Sequence, residues 1–465
     1  MEKTIKIKTI EFFEIIFLYY ITKNYNLFPF TISLSLYYIF KSCFANLKLS
    51  NIKEEYLCNK SNMKLVILLL LVISFCFLIL SILLSDVMNT ILDTNDMFLV
   101  FLFMGLSISS EPLINIYSEY LMIMKHKSAN TLYNSYYILE LVLYIIISFF
   151  SFKILKLPNN IAISLLYLPK IISIILISIL WYFILKNKKE LVIPKEKSYN
   201  YQVVKKIFKK NIHKSFIKII NYSYLYISIV LVYLVLTTRY NYNKTEIYTL
   251  IPIVYLYLKH LVNYYLMILN NNLSILGKNI SYNLYSTLKL MLPLTIIGSI
   301  VSPIICQILF NNPNISLYLS PLLFLAIFEE MYLISYDGIY NKKIVNISLI
   351  IGIFSKIIIT IPLINAFYRM GYNLIYGDIL STSLSLFISI GINYLYSKNK
   401  YHFEEKYLGK ILSIFYENIL LSIVLIITQF IIPLHNLNYL KSLVYLPVYL
   451  AISILFIKIK NEKRG

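Results

Sequence analysis

The sequence has little charge, little glycine and few cysteines for its length. Charged residues make up 14% of its 465 positions, whereas roughly a quarter of a soluble domain is charged. Hydrophobic residues account for 59% of the chain, and its mean hydropathy is +0.71. A soluble protein has no place for so many apolar side chains, so the composition predicts a protein that lies in a lipid bilayer.

The few cysteines and the absence of familiar motifs exclude several function classes. Cys43, Cys58, Cys76 and Cys306 show no paired spacing, which argues against a disulfide framework and against a zinc site. The patterns G-x-x-x-x-G-K-[ST], H-E-x-x-H, C-x-x-C and G-x-S-x-G are all missing, and the five histidines are scattered. We therefore expect a transporter without catalytic residues, cofactor or bound metal, and not an enzyme.

Long apolar runs dominate what is present. A helix that crosses a bilayer needs about 20 apolar residues. Such runs lie near 9–22, 28–47, 65–86, 97–124, 131–152, 160–185, 215–238, 247–270, 284–310, 316–340, 344–366, 373–397, 407–433 and 438–457. The first run is short and contains Glu11 and Glu14, so thirteen spans remain an alternative. The predicted fold class is an all-α integral membrane protein of about fourteen transmembrane helices.

The formal net charge of +21 is distributed on one side of these spans. Every second linker is rich in lysine: residues 3–8, 48–64, 125–127, 186–214, 278, 342–343, 398–410 and 458–465. The opposite linkers carry only Lys23, Lys153, Lys156, Arg239, Lys244 and Arg369, together with the acidic residues Asp86, Asp93, Asp96 and Asp378. Basic loops stay in the cytoplasm, so we expect a multi-pass plasma-membrane protein with both termini cytoplasmic. The same pattern explains the positive charge without a nucleic-acid partner.

One long basic linker, residues 186–214, divides the chain. It predicts an N-lobe at 1–185 with spans 1–6 and a C-lobe at 215–397 with spans 7–12. Residues 398–465 then supply spans 13 and 14 and a cytoplasmic tail. Transporters built from two lobes commonly hold their substrate between them.

Several ionisable side chains fall inside the predicted spans, where an unpaired charge is costly. Lys170, Lys259 and Lys356 are near mid-span, so each is expected either to face an internal cavity or to pair with a carboxylate. Lys41, Lys218 and Lys289 lie closer to span ends and can also reach water by extending along the helix. The candidate carboxylate partners are Glu111, Glu119, Glu140, Glu329, Glu330 and Asp337. A cavity lined by lysines would suit an anionic substrate such as a phosphate, and His260 would add a titratable group beside Lys259.

Fourteen spans, cytoplasmic termini, a basic linker after the sixth span and short external loops resemble the multidrug/oligosaccharidyl-lipid/polysaccharide (MOP) exporter superfamily, with its MATE-like fold. Within it, the chain looks most like SpoVB-type polysaccharide exporters and MurJ-type lipid II flippases. The best local match is residues 320–398. There Gly338 and Lys342 resemble a turn between two spans of those families, and Lys356 resembles their intramembrane lysine. The segment "YLKHL" (257–261) resembles the MurJ-type Tyr-Ala-x-Arg-Leu, which places His260 at the arginine.

The resemblance implies a flippase that moves a polyprenyl-diphosphate-linked saccharide, lipid II or a polysaccharide repeat unit, across the plasma membrane by alternating access. Its partners would be that lipid-linked saccharide, membrane lipids and a coupling cation. The candidate substrate-binding residues are Lys41, Lys170, Lys218, Lys259, His260 and Lys356, and the candidate ion-coupling residues are Glu14, Glu111, Glu329 and Glu330. Two alternatives stay open: an ion-coupled MATE-type small-molecule exporter, and a membrane glycosyltransferase or polymerase subunit.

Overall fold

The computed structural model describes residues 2–45, 61–92, 94, 97–123, 129–187, 219, 222–273, 280–337, 342–398, 406–431, 434 and 437–462. Throughout these ranges the regular structure is helical, and none of the described residues forms a β-strand. Most of the predicted basic linker at 186–214 lies outside them. The all-α prediction is therefore confirmed over the described chain.

Fourteen helices follow one another along the described ranges, each overlapping one predicted apolar run. The first seven are α1 (Glu2–Ile21), α2 (Phe28–Ala45), α3 (Ser61–Leu92), α4 (Met97–Ile123), α5 (Ala129–Phe149, extended by a π-turn Phe150–Ile154), α6 (Asn159–Ser164, a 3₁₀ turn Leu165–Tyr167, then Leu168–Asn187) and α7 (Tyr222–Arg239). The next seven are α8 (Lys244–Ile251, a π-helical segment Pro252–Leu258, then Lys259–Leu273), α9 (Ile280–Phe310), α10 (Ser316–Asp337), α11 (Lys342–Arg369), α12 (Ile375–Lys398), α13 (Lys406–Ile431) and α14 (Tyr439–Glu462).

The helices present apolar side chains outward, as a lipid environment requires. Within the described residues, eight helices are long and apolar enough to cross a membrane, judged by length and composition. Large apolar side chains such as Phe75 on α3 and Phe354 on α11 are exposed, while serines and a lysine are buried. This pattern is the reverse of that in a soluble bundle. The chain is a multi-pass integral membrane protein.

Residues Glu2–Pro252 form one compact unit. In it, α3 packs along α4, α5 packs against α6 and α1, and α4 also contacts α2 and α6. Phe28 at the start of α2 stacks on Tyr233 of α7 and on Tyr248 of α8, with ring centroids 5.0 Å apart in both cases. The Tyr233 hydroxyl donates a 2.6 Å hydrogen bond to the carbonyl oxygen of Leu92. These contacts fasten α7 inside this unit.

Residues Ile253–Gly465 form the second compact unit. Its most extensive contact is between the consecutive helices α11 and α12, and α10 packs on α12 and α9. Helices α13 and α14 both pack on α9. Lobes divided at 186–214, as the sequence suggests, remain a prediction about which parts move during function.

The unit boundary falls inside α8, at the start of its π-helical segment. Proline lacks a backbone N–H, and its ring clashes with the carbonyl one turn earlier, so Pro252 disrupts the regular ladder. A π-turn, which places one extra residue in a helical turn, is a common way to absorb such a disruption and occurs often at functional sites. The segment therefore changes the direction of Tyr255, which lies within it, and of Lys259, which follows it immediately.

Candidate functional site

Helix α12 carries a polar stripe that faces the protein interior. Its members recur three or four residues apart, the spacing that places side chains on one helix face. All are at most 8% exposed: Asp378, Ser381, Thr382, Ser385, Ser389 and Asn393. The other face bears Phe387 and Leu395, which are exposed and apolar.

A seam of hydrogen bonds joins this stripe to α11, which runs antiparallel to α12. Ser389 donates to the carbonyl oxygen of Ser348 over 2.9 Å, and the hydroxyls of Thr360 and Ser381 are 2.8 Å apart. The helices come close because Gly377 has no side chain: a Cβ atom there would lie 2.7 Å from the Ile364 Cα. Small residues and buried hydroxyls are typical of tightly packed membrane helices.

Lys356 lies at the centre of this seam and is completely buried. Its ammonium group donates a 2.5 Å hydrogen bond to the Thr382 hydroxyl and lies 3.4 Å from the Asp378 carboxylate. The Tyr255 hydroxyl donates to the other oxygen of Asp378 over 2.6 Å. A buried charge is tolerated when it is paired and hydrogen-bonded, so this set of contacts explains how a lysine fits into an apolar run.

A second ion pair lies in the same unit. The ammonium group of Lys259, on α8, donates a hydrogen bond to the Glu329 carboxylate on α10. These side chains are 12% and 27% exposed, respectively. Both charges act electrostatically on Lys356. We call Tyr255, Lys259, Glu329, Lys356, Asp378 and Thr382 the C-terminal cluster.

The first unit holds a cluster of its own. Lys170 on α6 is 3.4 Å from the Glu140 carboxylate on α5, and its ammonium group is 4.5 Å from the centre of the Tyr37 ring. Lys41 contacts the same ring at 5.6 Å. Glu14 on α1 interacts electrostatically with Glu140, Lys170 and Lys41. With Glu11, which also acts electrostatically on Glu14, these six residues form the N-terminal cluster, whose charged groups are three carboxylates and two lysines.

The structure thus pairs all three mid-span lysines with carboxylates. Of the two predicted alternatives, a cavity of cations or an ion pair, the described conformation shows the ion pair at Lys170, Lys259 and Lys356. Glu140 and Glu329 were predicted as partners. Asp378 was not, because it was counted among the charges of an outer linker, whereas it is 1% exposed and lies inside α12.

Of the remaining candidates, His260 and Glu330 lie next to members of the C-terminal cluster in the sequence. His260 follows Lys259 and is half-buried, and Glu330 follows Glu329 and is 7% exposed. Lys218 and the Glu111 side chain lie outside the described part of the chain. Among the described residues, no group of three histidine, cysteine or acidic side chains is arranged to hold a metal ion.

Sequence reasoning missed Tyr255 and Asp378. The signal for Asp378 was present in "GDILSTSLSLFIS", where aspartate, serines and threonine recur at helical spacing within a predicted span. In a membrane helix such a stripe indicates a face turned away from lipid. Tyr255 offered no comparable signal, because the chain contains 44 tyrosines.

The fold is shared with solved structures of a flippase and of a transporter. Neither a family model nor a curated protein matches the sequence, but solved structures do match the fold. The structure described as "Lipid II flippase MurJ, inward closed conformation" is similar with a TM-score of 0.60 and 17% identity, over 98% of this chain and 97% of that one. An inward-facing multidrug resistance MATE family transporter of the MOP superfamily is similar with a TM-score of 0.58 and 11% identity, over 85% of this chain and 94% of that one. The chain therefore has the fold of these two proteins, as the resemblance implied.

Proposed function

We propose that this protein is a flippase that moves a polyprenyl-diphosphate-linked saccharide outward across the bacterial plasma membrane, with both termini in the cytoplasm. The observation that carries the proposal is the end-to-end match to a lipid II flippase. A match over 98% of the chain includes most of α13 and α14, whereas the MATE transporter leaves 15% of the chain unmatched. The greater coverage is what supports our choice of the flippase, while the fold itself is equally consistent with the small-molecule exporter.

The three ion pairs, one of them completely buried, are compatible with alternating access. Ion pairs within each unit fasten its own helices to one another, since an unpaired charge would be strongly unfavourable there. Such pairs would keep neighbouring helices together while the substrate site opens first to one side of the membrane and then to the other. The potential assists export of the anionic headgroup, because moving two negative charges outward releases about 4.6 kcal/mol at 100 mV.

Candidate residues for binding the substrate are Lys259 and His260 in the second unit and Lys41 and Lys170 in the first. Lys218 and Lys356 complete the set proposed from the sequence. The contacts of Lys356 suit a fixed internal role better than direct binding, because it is wholly buried and paired. Lys259 is partly exposed and can reach a ligand.

The test is transbilayer transport by purified protein in liposomes. A fluorescent polyprenyl-diphosphate-linked disaccharide would be placed in one leaflet, and its appearance in the other would be measured with a membrane-impermeant quencher. We expect transport to exceed that of protein-free liposomes and to fall at least tenfold for Lys259→Met. Transport no faster than in protein-free liposomes would overturn the proposal.

The second candidate is a cation-coupled small-molecule exporter. The specific observation in its favour is the N-terminal cluster, where three carboxylates outnumber two lysines and Glu14 interacts with Glu140. Glu14, Glu111, Glu329 and Glu330 would be its coupling residues. Export of a cationic dye that depends on a sodium or proton gradient, and is lost in Glu14→Gln, would favour this function.

Elongation of a lipid-linked acceptor by the purified protein would instead indicate a glycosyltransferase or polymerase subunit.

A further inference from the structure

The two ion pairs of the C-terminal cluster differ in how much of their side chains is exposed at the protein surface. Lys356 and Asp378 are 0% and 1% exposed, and Thr382 and Tyr255 occupy further positions around them. Lys259 and Glu329 are 12% and 27% exposed. Separating the closed pair would leave two buried charges without partners, whereas the open pair can exchange partners at a much lower cost.

The closed pair also positions the open one. Tyr255 lies one helical turn before Lys259 on α8, and its hydroxyl is fixed by Asp378. Lys259 begins the regular helical part of α8 immediately after the π-helical segment. The contact between Asp378 and Tyr255 therefore fixes the helical turn that carries Lys259. Asp378 is in turn fixed by its ion pair with Lys356. The Lys259 ammonium group is in turn fixed in direction by a carboxylate that solvent can reach.

We infer that Lys259 binds a phosphate group and that, when no phosphate is bound, the Glu329 carboxylate occupies the same site. This inference rests on the proposed function, because it names the group that the diphosphate of the substrate displaces. An ammonium group is a compact point charge with three donors, and it can bind either a carboxylate or a phosphate oxygen.

The exchange gives Glu329 a role in release as well as in binding. An entering phosphate pairs with the ammonium group of Lys259 in place of the Glu329 carboxylate. Glu329 is then exposed to solvent. When the substrate leaves, the carboxylate returns and restores the pair. Neutralising Glu329 should therefore strengthen anion binding and slow release, which is opposite to the effect of removing a residue that binds the substrate directly.

Binding of inorganic pyrophosphate to the purified full-length protein tests this inference, with calorimetry as the readout. We expect Glu329→Gln to bind pyrophosphate about fivefold more tightly than the natural protein, the factor that corresponds to loss of one partly exposed ion pair. Lys259→Met should show no binding, alone or combined with Glu329→Gln. Glu246→Gln, which neutralises an exposed carboxylate in the first turn of α8, is the matched control and should bind as the natural protein does.

Unchanged or weaker pyrophosphate binding by Glu329→Gln would overturn the inference, and so would binding retained by Lys259→Met. Glu329→Asp, which keeps a carboxylate on a shorter side chain, should give an affinity between those of the natural protein and Glu329→Gln. Two further ligands, farnesyl diphosphate and phosphatidylglycerol, identify the source of the phosphate. If Glu329→Gln increases the affinity for farnesyl diphosphate alone, the site is a diphosphate site. If it increases the affinity for phosphatidylglycerol alone, the diphosphate site is rejected. If the natural protein transports lipid-linked saccharide while these affinities do not change, only this inference fails. If the affinities change as expected without transport, only the proposed function fails.

Discussion

At the scale of single residues, the cost of a buried charge explains what could be predicted and what could not. Because Lys356 lies in an apolar run, its charged side chain is expected to face away from lipid, and this could be predicted from the sequence alone. Its partner depends on the antiparallel register of α11 and α12, which brings Asp378 and Thr382 to the same level as Lys356. No local pattern specifies that register, so Asp378 was misplaced, whereas Glu329 could be proposed from its mid-span position.

The closed ion pair makes a prediction about stability. Lys356→Met leaves the Asp378 carboxylate buried without its cation, and we expect this to destabilise the protein by about 3–5 kcal/mol. The double substitution Lys356→Met with Asp378→Asn removes both charges and should recover most of that loss. Thermal unfolding of the detergent-solubilised variants measures both effects. A double variant less stable than the single one would contradict the assignment of these residues as an ion pair.

The two lysines of the C-terminal cluster should also behave differently. Because Lys259 is partly exposed, Lys259→Met should cost no more than about 1 kcal/mol of stability while abolishing transport. Lys356→Met should lower both stability and transport. Measuring unfolding and liposome transport on the same preparations separates the two roles. Equal destabilisation by both substitutions would show that the difference in exposure has no energetic consequence.

At the scale of helices, hydropathy predicted far more than packing. Each of the fourteen apolar runs corresponds to a helix, because a span must satisfy its backbone hydrogen bonds internally and therefore leaves a long continuous signal. The ends were less accurate: α3 extends over Ser61–Leu92, whereas its run was placed at 65–86. Helix α1 is continuous from Glu2 to Ile21 despite the two glutamates that weakened its run. The seam between α11 and α12 could not be predicted, because it depends on contacts between two helices.

Gly377 and Gly391 test that seam within one helix. A Cβ atom at Gly377 would lie 2.7 Å from the Cα of Ile364 and 2.9 Å from the carbonyl carbon of Leu363, so Gly377→Ala must push α11 and α12 apart. We expect a loss of about 1–3 kcal/mol. At Gly391 a Cβ atom meets nothing within 4 Å, so Gly391→Ala should be neutral or stabilise by up to about 1 kcal/mol. Similar unfolding temperatures for the two variants would contradict the close approach of the helices.

At the scale of the whole molecule, the distribution of lysine predicts how the chain lies in the membrane. The fold agrees with an even number of crossings, because fourteen helices occupy the described chain. The assignment of both termini to the cytoplasm rests on the excess of basic residues in alternate linkers. It remains a prediction, and three exposed positions separated by known numbers of helices can decide it.

Single cysteines at Tyr242, Tyr372 and Lys410 report the side of the membrane directly, once the four native cysteines are replaced by alanine. Tyr242 follows α7 and Tyr372 follows α11, so four helices separate them and they must lie on the same side. Only α12 lies between Tyr372 and Lys410, which must therefore lie on opposite sides. The basic linkers make Lys410 cytoplasmic, so an impermeant maleimide should label Tyr242→Cys and Tyr372→Cys in intact cells, and Lys410→Cys only after permeabilisation. Labelling of all three variants in intact cells would show that α12 does not cross the membrane. The reverse pattern would show that both termini lie outside the cell, which contradicts the predicted orientation.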